Sequence, residues 1–265
     1  GDIVPLARLP EAVSLHNMGA NLMRTVGPTI GGLLVASSGP VVAFLAGAVS
    51  YLPGLGVILF WRSASRETAE PERVGAAVGS GLRYLWAAPM VPPMLLRVLA
   101  FCTATVSVVA LLPLVVRDQL GSGAQSYGIL FGGYGFGAIL GGLMLAQMRE
   151  RWSVEWILGG VALVNAAAVA LLAFGSQVWM ALVAMALSGG CWLVTHSLLN
   201  GTLQMATPRW MVGRMVAMYL TAAYLGLSLG SWLWGALAEQ IGLREALALS
   251  AAGLVATFLL GLRLP

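Results

Sequence analysis

Runs of about twenty residues without a charge decide what this chain can become. A helix rises about 1.5 Å per residue, so about twenty apolar residues carry it across the hydrocarbon core of a bilayer. Inside that core no water satisfies peptide N–H and C=O groups, which leaves helices and closed barrels as the only spanning structures. The sequence holds eight such runs, roughly at 12–36, 41–61, 94–116, 126–148, 154–174, 178–203, 214–237 and 244–262. Only 9% of the 265 residues are charged, against about 25% in a soluble domain. The expected fold is an all-α polytopic bundle of eight transmembrane helices.

The charges set its orientation. All fourteen basic residues are Arg. An even number of spans puts both ends on one side. That side collects Arg8, Arg62, Arg66, Arg73, Arg83, Arg97, Arg149, Arg151, Arg209, Arg214 and Arg263, while the other receives only Arg117 and Arg244. Eleven against two follows the positive-inside rule. Both termini and the long connection 62–93 are therefore expected in the cytoplasm, with the protein in the plasma membrane. Within that connection Val74, Val78, Leu82, Leu85 and Trp86 recur at helical spacing, as in a short amphipathic helix or a linker. A sequence pI near 9.5 could indicate nucleic acid, but the Arg residues are dispersed between apolar spans, so no nucleic-acid partner is expected. Cys102 and Cys191 sit inside spans without ligand spacing, and neither metal nor cofactor is expected. The chain opens at Gly1 with no signal peptide in view, and reads as a piece of something longer.

Ionisable and polar residues within the spans are the functional candidates. Arg24 lies near the middle of the first span, with Asn17, Asn21 and Pro28 on the same face. This stripe is either the wall of a polar cavity or a structural arginine bonded to its neighbours. Gly27-Pro28-Thr29-Ile30-Gly31-Gly32 follows, in which proline kinks the helix and the glycine pair admits a close neighbour. The fourth span is dense in glycine, with Gly128, Gly132, Gly133, Gly135, Gly137, Gly141 and Gly142 forming small-xxx-small steps for helix packing. The sixth span carries Thr195, His196 and Asn200, the last two on one face. The seventh carries Thr221, Tyr224, Ser228 and Ser231 on one face, with Trp232 and Trp234 expected at the interface. The third offers Thr103, Thr105 and Ser107, with Pro113 as a bend. Glu11, Asp118, Glu155 and Glu239 fall at span ends or in loops, and His16 and His196 lie on separate helices. No nucleophile–base pair is in view, so no catalytic residue is assigned and the chain is not expected to be an enzyme.

GPTIGG in such a span resembles the antiporter motif in the fifth helix of major facilitator superfamily exporters, although Met23 stands where that motif usually has a small residue. LPEAVSLHNMGANLMRTVGPTIGGLL, RYLWAAPMVPPMLLR and TPRWMVGRMVAMY resemble the branch that includes siderophore and macrolide exporters. The resemblance implies that the eight spans are helices five to twelve of a twelve-helix transporter, the first four being absent from this sequence. Residues 1–61 would close the N-terminal half, 62–93 would form the central cytoplasmic loop, and 94–265 would be the C-terminal six-helix half. It further implies a substrate cavity lined by Asn17, Asn21, Arg24, Thr103, Ser107, His196, Asn200, Thr221 and Tyr224, an antiporter-type motif of Gly27, Pro28, Gly31 and Gly32, and packing through Gly128, Gly132, Gly133, Gly137 and Gly141 against the other half. The expected function is alternating-access export of an amphipathic small molecule such as a drug, siderophore or metabolite. Its partners would be the bilayer, protons as coupling ion and the missing four helices. The alternative is a non-transporting, degenerate membrane scaffold.

Overall fold

The computed structural model describes residues 41–60, 88–208 and 211–263, together with residues 30, 34, 38, 75, 79 and 83–85; side chains are described as far as residue 259. The first expected span, 12–36, lies outside the described residues except at positions 30 and 34, both helical. The other seven spans are helices: α1 Val41–Phe60, α2 Val91–Gln119, α3 Ala124–Arg151, α4 Val154–Phe174, α5 Val178–Ala206, α6 Val212–Ile241 and α7 Leu243–Arg263. The first six are long and apolar enough to cross a membrane, and α7 has 21 residues. Within the connection 62–93, residues 75, 79 and 83–85 are helical, and Tyr84 and Leu85 pack on the bundle.

Most helices outrun their apolar runs. α3, α5 and α6 reach 28, 29 and 30 residues, about 42–45 Å of rise, which is the full bilayer with its headgroups rather than the core alone. Their extra turns carry polar residues that the hydropathy pattern discards, such as Arg149 and Arg151 in the last turn of α3. The joints are short. Gly121, with φ +57°, turns α2 into α3, and Gly242, with φ +105°, is the single residue between α6 and α7. Both backbone conformations suit glycine because other residues meet their own Cβ there.

α2 to α7 make one bundle. α3 packs on α5, α4 on α5 and α7, and α6 on α2 and α7. α2 runs through the centre, with Val98, Cys102, Leu112 and Val115 wholly buried. It is not a regular helix: it breaks at Val106 and Leu111 and ends in a π-helical turn, Val115–Gln119. Pro113 explains part of this, since it lacks the N–H that would bond to Val109. The expected bend is thus present, as a series of breaks. α1 is exposed along most of its length.

The tightest contact is between α3 and α5. A Cβ on Gly137 would overlap the Ala186 carbonyl, one on Gly189 would overlap that of Tyr134, and one on Gly141 would lie 2.7 Å from the Gly190 oxygen. The two backbones touch at these points. Gly137→Ala is therefore expected to destabilise the folded protein by about 1–3 kcal/mol, the usual range for overpacking. Gly201→Ala, where a Cβ meets nothing within 4 Å, should leave the unfolding midpoint unchanged or raise it. Thermal unfolding of both variants in detergent or nanodiscs checks the contrast.

Candidate functional site

His196 on α5 is where three helices of the bundle exchange polar contacts. Its Nδ1 lies 2.7 Å from the Tyr219 hydroxyl of α6, and its Nε2 lies 3.6 Å from Cys102 Sγ of α2. The Tyr219 hydroxyl is also 3.4 Å from the His196 carbonyl. Trp192, one turn earlier on α5, lies over the imidazole with ring centroids 4.1 Å apart, and Tyr219 meets it edge-on at 5.6 Å. Phe101 of α2 extends the aromatic row to Trp192.

This geometry accommodates a change of proton. With neutral imidazole, Tyr219 donates to Nδ1 while Nε2–H points at the Cys102 sulfur. With imidazolium, both ring nitrogens donate, and the Tyr219 hydroxyl can turn its own proton to the His196 carbonyl.

Around this hub the candidates divide. On α6, Met215, Tyr219, Ala223, Gly226, Gly230 and Trp234 are the buried stripe, while Thr221, Tyr224, Ser228 and Ser231 are exposed on the opposite side. Tyr224 is 64% exposed, whereas the Thr221 hydroxyl donates to the Ala217 carbonyl at 2.9 Å. Asn200 accepts from Gln204 at 2.9 Å on the last turns of α5. Thr103 is half-buried and donates to the Leu99 carbonyl at 2.8 Å.

Ser107 does not line a cavity. It is wholly buried and bonds to Ser250 of α7 at 2.6 Å, and the Ser250 hydroxyl in turn donates to the Ala104 carbonyl at 2.8 Å. A hydroxyl next to the break in α2 is used to tie that break to α7. Trp234 is likewise not interfacial: it is buried, and its Nε1–H donates to the Thr103 carbonyl at 2.6 Å. Only Trp232 remains exposed as expected. The glycine face also has a different neighbour. Gly133, Gly137 and Gly141 seat α3 on α5 inside the same bundle, and Gly128 and Gly132 are buried. Asn17, Asn21, Arg24, Gly27, Pro28, Gly31 and Gly32 lie outside the described residues.

The sequence reading missed several residues. Cys102, which has no ligand spacing in the sequence, faces His196. Gly226 and Gly230 bring α6 onto α2, where a Cβ would lie 2.6 Å from the Leu99 oxygen and would overlap that of Thr103. The GLSLG spacing of 226–230 carried that signal. Asn165, by contrast, stands out in the sequence as the main polar residue of an otherwise featureless span; on α4 it is wholly buried and donates to Thr105 at 2.7 Å.

The bundle of apolar helices agrees with a comparison of the whole sequence. The family of transmembrane secretion effectors, a branch of the major facilitator superfamily, matches residues 1–265. The chain belongs to this family. It is also similar to the multidrug efflux pump Tap of Mycolicibacterium fortuitum, with 28% identity over 96% of this chain and 64% of that protein. The multidrug efflux pump Tap of Mycobacterium tuberculosis H37Rv is 24% identical over 92% of this chain and 59% of its own length. The chain thus spans about three-fifths of the length of these curated relatives. Membership of a transporter family and the apolar helices make it a multi-pass membrane protein of transporter type.

Tyr219 and Thr221 are two residues apart and play different parts. Tyr219→Phe removes a buried bond to His196 and should cost roughly 0.5–1.5 kcal/mol of stability. Thr221→Ala, on the exposed face, should leave thermal unfolding unchanged. A comparison of their melting curves with wild type checks the assignment.

Proposed function

We propose that the chain serves a secondary active transporter that exports an amphipathic small molecule, a drug, siderophore or similar metabolite, by alternating access. The observation that carries this reading is the face of α6 holding Thr221, Tyr224, Ser228 and Ser231. It points away from the bundle, yet it is too polar to be a natural lipid face. A water-filled cavity between two helical halves is where secondary transporters put such a face. Tyr219, on the opposite side of the same helix, reaches His196, so movement of α6 and the state of the imidazole are mechanically linked.

In this proposal residues 94–265 form one half of the transporter, 62–93 the cytoplasmic connection and 1–61 the end of the other half. The protein lies in the plasma membrane with both ends of this chain in the cytoplasm and carries out no covalent chemistry. Protons are the coupling ion, with His196 as the proton-handling group. Thr103, Asn200, Thr221 and Tyr224 face the substrate path, joined by Asn17, Asn21 and Arg24 from the first span. The relatives named as multidrug efflux pumps support export and a broad range of organic substrates.

Efflux of dyes, macrolides and siderophores from cells expressing the gene that encodes this chain is the test. Export abolished by a protonophore is expected. No transport of any of these would sink the reading in favour of a scaffold. His196→Gln should lower proton-driven efflux at least about tenfold, the scale of a lost charge-assisted bond, while retaining membrane expression. Arg24→Ala is expected to reduce efflux more than it reduces expression, as measured by immunoblot of membranes; equal loss of both would make Arg24 purely structural.

A further inference from the structure

Three polar side chains lie at one level in the middle of the bundle, and two of them hold hydrogen-bonding capacity that the fold leaves unused. Asn165 of α4, Ser188 of α5 and Thr105 of α2 are 0%, 1% and 4% exposed. The Asn165 amide nitrogen donates to the Thr105 hydroxyl at 2.7 Å. Asn165 Oδ1 and Ser188 Oγ find no hydrogen bond among the described residues. A serine inside a helix commonly returns its hydroxyl to the carbonyl four residues back, and Ser188 does not. Turning the Asn165 amide over would only exchange an orphan carbonyl for an orphan NH2.

Two registers bring these groups to the same height. Phe101 of α2 stacks on Trp192 of α5 with ring centroids 6.3 Å apart. The two helices run in opposite directions, so one turn on from Phe101 is Thr105 and one turn back from Trp192 is Ser188. α4 and α5 are also opposed, and residues of 157–164 and of 186–194 wall one furrow. Asn165 adjoins the Val164 end of that wall and Ser188 the Leu187 end. Asn165 is eleven residues into the 21-residue α4, about 16 Å along it, which is the centre of the hydrocarbon core. One turn away from the two orphan groups stand the buried Ala162 and Ala168 on α4 and Ala184 on α5, so small side chains flank them.

We propose that a single water molecule is bound here, donating to Asn165 Oδ1 and exchanging a hydrogen bond with the Ser188 hydroxyl. An unpaired acceptor and an unpaired hydroxyl at the midplane are costly in hydrocarbon, and buried polar groups of this kind are the usual partners of internal water. A metal cation does not suit the place. The acidic residues of α2, α4 and α5 are Asp118 and Glu155, both at helix ends, and a buried charge without a counter-charge is far more costly than a water. The Thr105 oxygen is already taken by Asn165. The water would join α5 to the Thr105–Asn165 pair without bringing backbones into contact, unlike the glycine seat of α3 on α5. It belongs to the fold, so it stands or falls separately from the transport proposal.

A structure of the full chain in nanodiscs, at a resolution that shows ordered water, tests this. A density peak is expected at about 2.5–3.0 Å from both Asn165 Oδ1 and Ser188 Oγ. Ser188→Val, which removes the hydroxyl and fills the space with methyl groups, should abolish the peak. Melting of Ser188→Ala, Asn165→Leu and the double variant gives a second readout. The double variant should lose clearly less than the two single shifts together, because either change alone already releases the water. If a variant does not fold, the density in the wild-type chain decides alone. No peak between the two oxygens, a direct Ser188–Asn165 bond, or additive melting shifts would overturn the proposal. So would a melting point higher in sodium chloride than in choline chloride at equal ionic strength and lost in Ser188→Ala, which would make the occupant a cation.

Discussion

Hydrocarbon offers a peptide group no partner, so a break in a membrane helix has to be mended by the protein around it. α2 shows what that requires. It is the most buried helix of the bundle and also the least regular. Just before its first break, the carbonyls of Thr103 and Ala104 accept bonds from Trp234 of α6 and Ser250 of α7. Ser107, just after it, bonds to the same Ser250. Thr105 accepts from Asn165 of α4. Three neighbouring helices therefore hold one irregular stretch. At the far end, the side chain of Gln119 donates to the carbonyls of Leu172 and Gly175, which ties the π-helical turn to the end of α4.

The second constraint is how closely two helices can approach. Between helices in lipid no hydrophobic effect draws surfaces together, so packing and short polar contacts decide the arrangement. Glycine supplies this in two places, on α3 against α5 and on α6 against α2. The first contact makes those helices nearly one unit. The second brings Tyr219 and Trp234, on the same buried stripe as Gly226 and Gly230, into reach of His196 and Thr103. Close approach of backbones is therefore what allows a tyrosine on one helix to share a proton with a histidine on another.

The fold was largely legible in the sequence because the bilayer leaves so few alternatives. α4 was read to the residue, 154–174, since charged or turn-forming residues flank its apolar run. The ends of α3, α5 and α6 were not, because a helix continues through the headgroups, where polar residues cost nothing. The site was legible only in outline. His196 and the polar face of α6 stood out as departures from an apolar background. Ser107 and Trp234 were misplaced because their types fit several roles, and a partner 131 or 143 residues away in sequence decides which one. Cys102 and Tyr219 carry no local signal of their contact with His196, which exists only once α2, α5 and α6 are assembled.

Bonding separates two kinds of polar residue in this bundle. Thr105, Ser107, Asn165 and Ser250 are buried and bonded to one another or to carbonyls, and they act as fastenings. The fastening is not complete: Asn165 Oδ1 and Ser188 Oγ find no hydrogen bond among the described residues. Tyr224, Ser228 and Ser231 are instead turned outward from the bundle. His196 stands between the two classes. It is half-buried, and its Nδ1 lies 2.7 Å from the Tyr219 hydroxyl. The fastenings keep α2 rigid at its break, and Gly226 and Gly230 keep α6 against it. A shift of α6 that exposed its polar face to the other side of the membrane would therefore have to carry Tyr219 with it and alter the bond to His196. That coupling follows from the position of one tyrosine, on the buried side of the helix whose other side is polar.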